Sequence, residues 1–325
     1  MKHFSPKRFR RAEFYVVLSV VLFVAAMVGV SAFVGGEAVL GHLDTVSGSL
    51  VAGMLALSLL NYLTRASRWQ LFSRRLDVRL PFWRTLVYYF AGFAMTTTPG
   101  KLGEALRLWF MERAHGYDYA RIAPLFIGDR LSDLNAMVVL CIIGLGAFSG
   151  YGLAVGVLAL FGVAFTLLFV QPRLLLAGVG RAYLMAGRRW PRLFAGARRT
   201  VRLTSALFDV RTMVLASLLS ACGWLAECAA FAWLLQSLGA PVGFQGATFI
   251  FAFAMLAGAA SMLPGGLGGV EAAMMALLVV GGTPVDVALV ATMIIRVTTL
   301  WFAVGLGFAA LPLGLRAVHA AQRAV

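Results

Sequence analysis

The sequence predicts an all-α polytopic membrane protein, and three observations carry that reading. Of its 325 residues, 61% are hydrophobic and 13% charged, with a mean hydropathy of +0.88. This is too apolar for a soluble domain and long enough for roughly six to eight membrane crossings. Apolar runs alternate with connecting segments that are either rich in Lys and Arg or empty of them, the pattern that orients helices across a bilayer. Finally, the helix-breaking stretch Thr98 Pro99 Gly100 Lys101 Leu102 Gly103 Glu104 has a counterpart in Leu263 Pro264 Gly265 Gly266 Leu267 Gly268 Gly269; Pro99 and Pro264 are 165 residues apart. The expected architecture is an inverted-topology repeat of about six full transmembrane helices plus two oppositely oriented re-entrant helical hairpins.

The elements follow in order. Lys2, Lys7, Arg8, Arg10 and Arg11 precede an apolar run over 14–34, long enough for a helix of ~31 Å. It exceeds the core of a signal peptide and no clear Ala-x-Ala site follows, so it reads as a retained first transmembrane helix with a cytoplasmic N-terminus. The loop over 35–46 holds Glu37 and Asp44 but no Lys or Arg, and is placed outside. A second span over about 47–64 returns to a basic segment with Arg65, Arg68, Arg74, Arg75, Arg79 and Arg84, read as cytoplasmic. From Pro81 the chain re-enters, breaks at Pro99 and Gly100, and resumes to about Arg113. The returning arm would be only ~20 Å long, too short to cross ~30 Å of hydrocarbon.

A span over 122–148 then exits, and one over 153–170 comes back. The arginine-rich stretch over 171–211 is interleaved with Leu176, Val179, Tyr183, Trp190 and Phe194 and reads as an amphipathic cytoplasmic segment broken near Pro191. A span over about 213–238 leads out, a second hairpin over 249–280 breaks at 264–269 and opens outward, and a final span over 287–311 ends in a cytoplasmic C-terminus. The chain is thus one transmembrane domain over 1–325. Its first repeat covers 47–148 with a hairpin near 99–104, and its second, inverted repeat covers 212–315 with a hairpin near 264–271. Arg130 with Leu134 answers Arg296 with Leu300 at nearly the same offset.

Several classes are disfavoured. The net charge of +15 lies between apolar runs, where it meets anionic headgroups, so nucleic acid is not the expected partner. Cys141, Cys222 and Cys228 lack metal or disulfide spacing, and His3, His42, His115 and His319 form no cluster. No Gly-x-x-x-x-Gly-Lys-Ser/Thr loop is present to bind nucleotide. No cofactor, metal or catalytic residue is expected.

Broken backbone at membrane depth persists only where protein or water covers it, so two breaks imply a shared hydrated centre. The N–H groups after each Pro-Gly present a positive dipole end suited to phosphate or carboxylate; tight helix packing is the competing explanation for the glycines. The candidate substrate-binding residues are Pro99, Gly100, Lys101, Gly103, Glu104, Arg107, Asp129 and Arg130 in the first half, and Pro264, Gly265, Gly266, Gly268, Glu271 and Arg296 in the second. Arg130 and Arg296 either grip a lipid phosphate or lock Glu104 and Glu271 as ion pairs. Asp129 and Asp133 repel at i, i+4 unless a cation or proton intervenes, and these two with Glu227 are candidate proton carriers.

At these motifs the sequence resembles the lysylphosphatidylglycerol synthase transmembrane-region family of flippase-like membrane proteins. Pro99, Gly103, Glu104 and Arg107 match its first pattern. Pro264, Gly265, Gly266, Gly268 and Glu271, with Arg296 beyond, match its second, over about 14–315. The resemblance implies movement of a lipid or lipid-linked molecule between leaflets of a bacterial or archaeal membrane, with a bacterial inner membrane as the expected location, anionic phospholipid, polyprenyl-linked or hopanoid lipids as partners and an oligomer possible. The synthase members carry a soluble lysyl-transfer domain with no counterpart here, so this chain is not expected to make lysyl lipid. The leading expectation is a translocase that is not ATP-driven. The alternatives are an intramembrane enzyme using Glu104 or Asp129 as base, and a transporter of a small anion.

Overall fold

The computed structural model describes residues 45–97, 104–146, 172–205 and 209–323, together with residues 21, 25, 29, 41, 42 and 207. Nearly all of the expected first span over 14–34, the span over 153–170, and the residues Pro99, Gly100, Lys101 and Gly103 lie outside the described residues. Among the described residues every regular element is helical.

Helix α1 (Gly48–Arg75) starts where Ser47 accepts from the Leu50 amide and ends with Arg74 and Arg75 against its negative dipole end. Helix α2 (Phe82–Phe93) and helix α3 (Leu106–His115) flank the first break, and Gly116 closes α3 in a left-handed cap with φ 70°. Helix α4 (Tyr119–Leu145) is capped by Asp118 and runs unbroken through Pro124. The basic stretch forms helices α5 (Pro172–Met185) and α6 (Pro191–Ser205), joined through the Tyr183–Phe194 ring contact. Arg188, Arg189, Arg198 and Arg199 are exposed there. Helix α7 (Val210–Ser237) begins at Asp209. The Asp209 carboxyl is held below its usual range by its bonds to Thr212 and by Arg75 at 3.1 Å.

The second break separates α8 (Phe244–Ala260) from α9 (Gly269–Val280), which pack on each other around a short turn at Pro264–Gly266. Gly265, Gly266 and Gly268 hold φ of 62°, 70° and 83°, a left-handed path that would cost any other residue ~1–2 kcal/mol each. The last stretch consists of α10 (Val285–Arg296), a π turn at Val297–Trp301, and α11 (Phe302–Arg323).

Among the described residues, three helical stretches are long and apolar enough to cross a membrane, Gly48–Arg75, Arg211–Ser237 and Val285–Arg323. Helix α4, with 27 residues, is as long but carries Asp129, Arg130 and Asp133 in its middle. Side chains such as Leu218, Val280 and Ile143 stay exposed, as expected of a surface that faces acyl chains.

Two expectations need correction. Arg65 and Arg68 do not belong to a cytoplasmic loop, because α1 continues through them and buries both; carboxylates on α4 supply the partners that make this burial affordable. The final helical stretch also runs past residue 311 to Arg323. Its 39 residues span ~58 Å as a helix, well beyond the hydrocarbon layer.

The apolar core is in two parts. One gathers Leu50, Met54, Leu140, Phe231 and Met274, the other Trp69, Phe72, Tyr89, Phe110 and Ile122. Along α1 the first part supplies Leu50 and Met54, the second takes over from Tyr62, and the buried polar residues Ser58, Asn61, Arg65 and Arg68 sit at and beyond the junction. Helix α11 closes tightly on α2: a Cβ on Gly307 would lie 2.6 Å from the Phe93 carbonyl carbon and 2.8 Å from the Ala94 Cα. Gly307→Val is therefore expected to cost roughly 1–3 kcal/mol through overpacking. Thermal unfolding in detergent measures this, and an unchanged midpoint would contradict the close approach.

Candidate functional site

Between the two apolar cores lies a layer of buried charge. Helix α1 contributes Arg65 and Arg68 one turn apart, so both reach the same face of α4. Arg68 is fully buried and bridges Asp129 Oδ1 at 2.5 Å and Asp133 Oδ1 at 2.8 Å, while its other terminal nitrogen donates to Ser220 on α7. Arg65 holds Asp133 Oδ2 at 2.9 Å. The Trp224 indole donates to Asp133 Oδ1 at 3.1 Å, and the Tyr89 hydroxyl to Asp129 Oδ2 at 3.3 Å. The i, i+4 repulsion of Asp129 and Asp133 is thus relieved by a shared guanidinium.

The segment after the first break adds Glu104 and Arg107. Arg107 contacts Glu104 Oε2 at 3.1 Å and Asp129 Oδ2 at 3.3 Å, and its guanidinium lies 3.7 Å over the Tyr89 ring. Gly92 makes room for this, since a Cβ there would meet Arg107 Cγ at 2.7 Å. Arg130 reaches Glu104 at 3.0 Å, Asp129 at 2.9 Å and Asp133 at 3.3 Å. Its side chain is 24% exposed, against 0% for Arg68 and Arg107, and its Nε has no hydrogen-bond partner among the described residues. With the carboxyls ionised, Arg65, Arg68, Arg107 and Arg130 face Glu104, Asp129 and Asp133, so among the described residues this cluster has one positive charge in excess.

The second half forms a smaller set. Arg296 Nε donates to Glu271 Oε1 at 2.6 Å and its Nη2 to the Gly265 carbonyl at 3.0 Å, while Glu271 Oε2 accepts from the Gly268 amide at 2.7 Å. The carboxylate at the start of α9 therefore answers the positive dipole end, and the arginine ties the glycine turn to α10. Of the two readings of Arg130 and Arg296, the ion pair with Glu104 and with Glu271 is present in both halves.

Two cavities adjoin these groups. The first, about 60 Å³, is lined by Arg65 and Glu104 from one side and by Gly265 and Arg296 from the other, with Asn61 and Glu227 between them. It is large enough for a few waters. The second, about 240 Å³, has Arg130 and Asp133 at its polar end and Leu256, Ala259, Met262 and Leu263 on its apolar walls. Met262 and Leu263 are 67% and 46% exposed, so this cleft opens at the protein surface. Trp224 and Met255 line both spaces and form the wall between them.

Among the expected site residues, Glu104, Arg107, Asp129 and Arg130 meet in one cluster, and Gly265, Gly268, Glu271 and Arg296 in the other; Gly266 lines the open cleft and Pro264 starts the turn. Pro99, Gly100, Lys101 and Gly103 lie outside the described residues. The sequence reading missed Arg65, Arg68, Trp224 and Tyr89 as cluster members. A signal for the arginines was present: Ser58, Asn61, Arg65 and Arg68 recur at steps of three and four, a polar stripe along one face of an apolar helix.

The family profile described as "Lysylphosphatidylglycerol synthase TM region" matches residues 16–307. A protein described as "UPF0104 membrane protein" from Methanothermobacter thermautotrophicus is 30% identical over 118 residues, which cover 36% of this chain and 35% of that protein. The aligned stretch thus spans about a third of the length of this curated relative.

Proposed function

Since this chain belongs to the lysylphosphatidylglycerol synthase transmembrane-region family, we propose that it is a translocase for lipids or lipid-linked molecules. In this reading an anionic headgroup crosses the bilayer through the charged layer between the two hairpins, its acyl chains remain in the membrane, and no ATP is used. The cargo is an anionic phospholipid or a polyprenyl-linked or hopanoid lipid. The protein resides in a bacterial inner membrane with both termini cytoplasmic, and the two hairpins enter from opposite sides as halves of an inverted repeat.

One observation carries the proposal. Arg130, the most exposed cation of a cluster with surplus positive charge, stands at the polar end of a cleft whose outer walls are apolar and open at the surface. Such a cleft offers a phosphate a guanidinium and offers an acyl chain methionine and leucine side chains, which is the division an amphiphile requires. An intramembrane acid–base reaction is less well supported, because Glu104 and Asp129 are each already engaged by two or more arginines.

The test is transbilayer exchange of a headgroup-labelled anionic phospholipid in vesicles containing the purified protein. Exchange faster than in empty vesicles is expected. Equal rates across a panel of anionic, polyprenyl and hopanoid lipids would overturn the proposal, and so would inhibition by water-soluble glycerophosphate with uptake of that anion instead.

A further inference from the structure

Glu227 sits within the apolar length of α7, is 2% exposed, and lines the smaller cavity, to which both charged sets contribute. It differs from every other carboxyl of the buried layer. Asp129, Asp133, Glu104 and Glu271 each contact at least one arginine, whereas among the described residues no cation lies within ion-pair distance of Glu227. Its recorded hydrogen bond comes from the Ser58 hydroxyl, 3.2 Å from Oε2. Asn61 lines the same cavity, and its Oδ1 is a buried acceptor to which no donor is directed among the described residues.

A buried carboxylate with one neutral donor and no cation at ion-pair distance is costly in its ionised form, and a proton removes that cost. A protonated Glu227 also adds a donor to a cavity that holds an unfilled acceptor. The surrounding groups set the electrostatic outcome. Helix α1 presents Tyr62 and Arg65, and the Tyr62 hydroxyl is already committed to the Thr299 carbonyl. Helix α4 contributes Asp133 through its pair with Arg65, and Cys141 further along. Glu104, ahead of α3, lines the same cavity and is paired with Arg107 and Arg130; Arg296 of α10 lines it too, Cys228 follows Glu227 on α7, and α8 carries no titratable residue.

We infer that Glu227 is a proton-binding site coupled to occupancy of the arginine cluster by an anionic phosphate headgroup. This rests on the cluster being the headgroup site, as proposed above. With Glu227 protonated the cluster keeps its surplus positive charge and attracts the anion. When the proton leaves Glu227 for cavity water, the new carboxylate cancels that surplus and repels the headgroup. Linkage makes the effect reciprocal, so the bound headgroup raises the proton affinity of Glu227 by the factor by which the proton raises headgroup affinity.

The test uses the full-length protein in detergent with dioctanoyl-phosphatidylglycerol as the anionic probe, titrated calorimetrically across pH in buffers of different ionisation enthalpy. Wild-type affinity should fall with rising pH, approaching tenfold per unit above the pKa of Glu227, with about one proton taken up per lipid. Glu227→Gln, which keeps shape and hydrogen bonding, should bind with pH-independent affinity and no proton uptake. An infrared carboxylic-acid carbonyl band that is present in wild type on the acid side of the titration and absent from Glu227→Gln reports the proton without any lipid. Absence of that band, pH dependence retained in Glu227→Gln, or binding that requires sodium in place of a proton would each overturn the inference. Lipid bound with equal affinity at every pH sinks the coupling alone, whereas no binding at any pH with the band present sinks the headgroup site instead.

Discussion

Replacing Arg68 with methionine is expected to lower the stability of the folded protein by about 3–5 kcal/mol, the range for breaking a buried ion pair by removing one partner. Arg68 is 0% exposed and lies between Asp129 and Asp133, at 2.5 and 2.8 Å. Methionine fills much of its volume, so the loss is electrostatic: two carboxylates at i, i+4 on one helix face lose the cation they share, and Ser220 loses its donor. Thermal unfolding in detergent and the yield of monodisperse protein report the effect. The double variant Arg68→Met with Asp129→Asn should recover part of the loss, because it removes one of the stranded charges. A wild-type midpoint for Arg68→Met would mean that the remaining arginines suffice to hold both carboxylates.

Arg130→Gln is expected to leave the fold intact and slow lipid exchange by roughly ten- to hundredfold. Its carboxylate partners keep other cations, Glu104 through Arg107, Asp129 through Arg68 and Arg107, and Asp133 through Arg65 and Arg68. What disappears is the surplus positive charge and the most exposed guanidinium of the cluster, at the mouth of the open cleft. A charge-assisted hydrogen bond to phosphate is worth about 1.5–3 kcal/mol, which sets that range of rates if the bond is made in the rate-limiting step. Arg130→Lys should fall between, since it keeps charge but not the planar fork. Measured together, an unchanged midpoint and an unchanged exchange rate for Arg130→Gln would place the lipid path elsewhere.

The contrast between these two arginines shows what a linear reading can and cannot separate. In the sequence, Arg68 looked like one of several basic residues following an apolar run, while Arg130 stood out as a charge inside one. Helical spacing ties Arg68 to Ser58, Asn61 and Arg65, but spacing alone does not say whether such a stripe faces water or protein. The carboxylates that neutralise it lie about 60 residues away on α4. Glu104 and Arg107 were easier, because their i, i+3 separation brings them together within a single turn.

By itself the sequence determined that this is a helical membrane protein, where its second Pro-Gly break falls, and that Glu104, Arg107, Asp129, Glu271 and Arg296 are charges within apolar surroundings, while it left Arg65 and Arg68 in a loop. Hydropathy, the left-handed demands of glycine and the cost of burying charge are local properties and can be read along a chain. Only the tertiary structure decided which charges meet. It placed Arg65 and Arg68 against Asp129 and Asp133, left Glu227 with no cation at ion-pair distance among the described residues, and set two cavities against the polar layer, with Trp224 and Met255 lining both. The reason is physical: in a medium that screens little, the state of each ionisable group depends on neighbours within a few ångströms, and those neighbours are supplied by packing between helices distant in sequence.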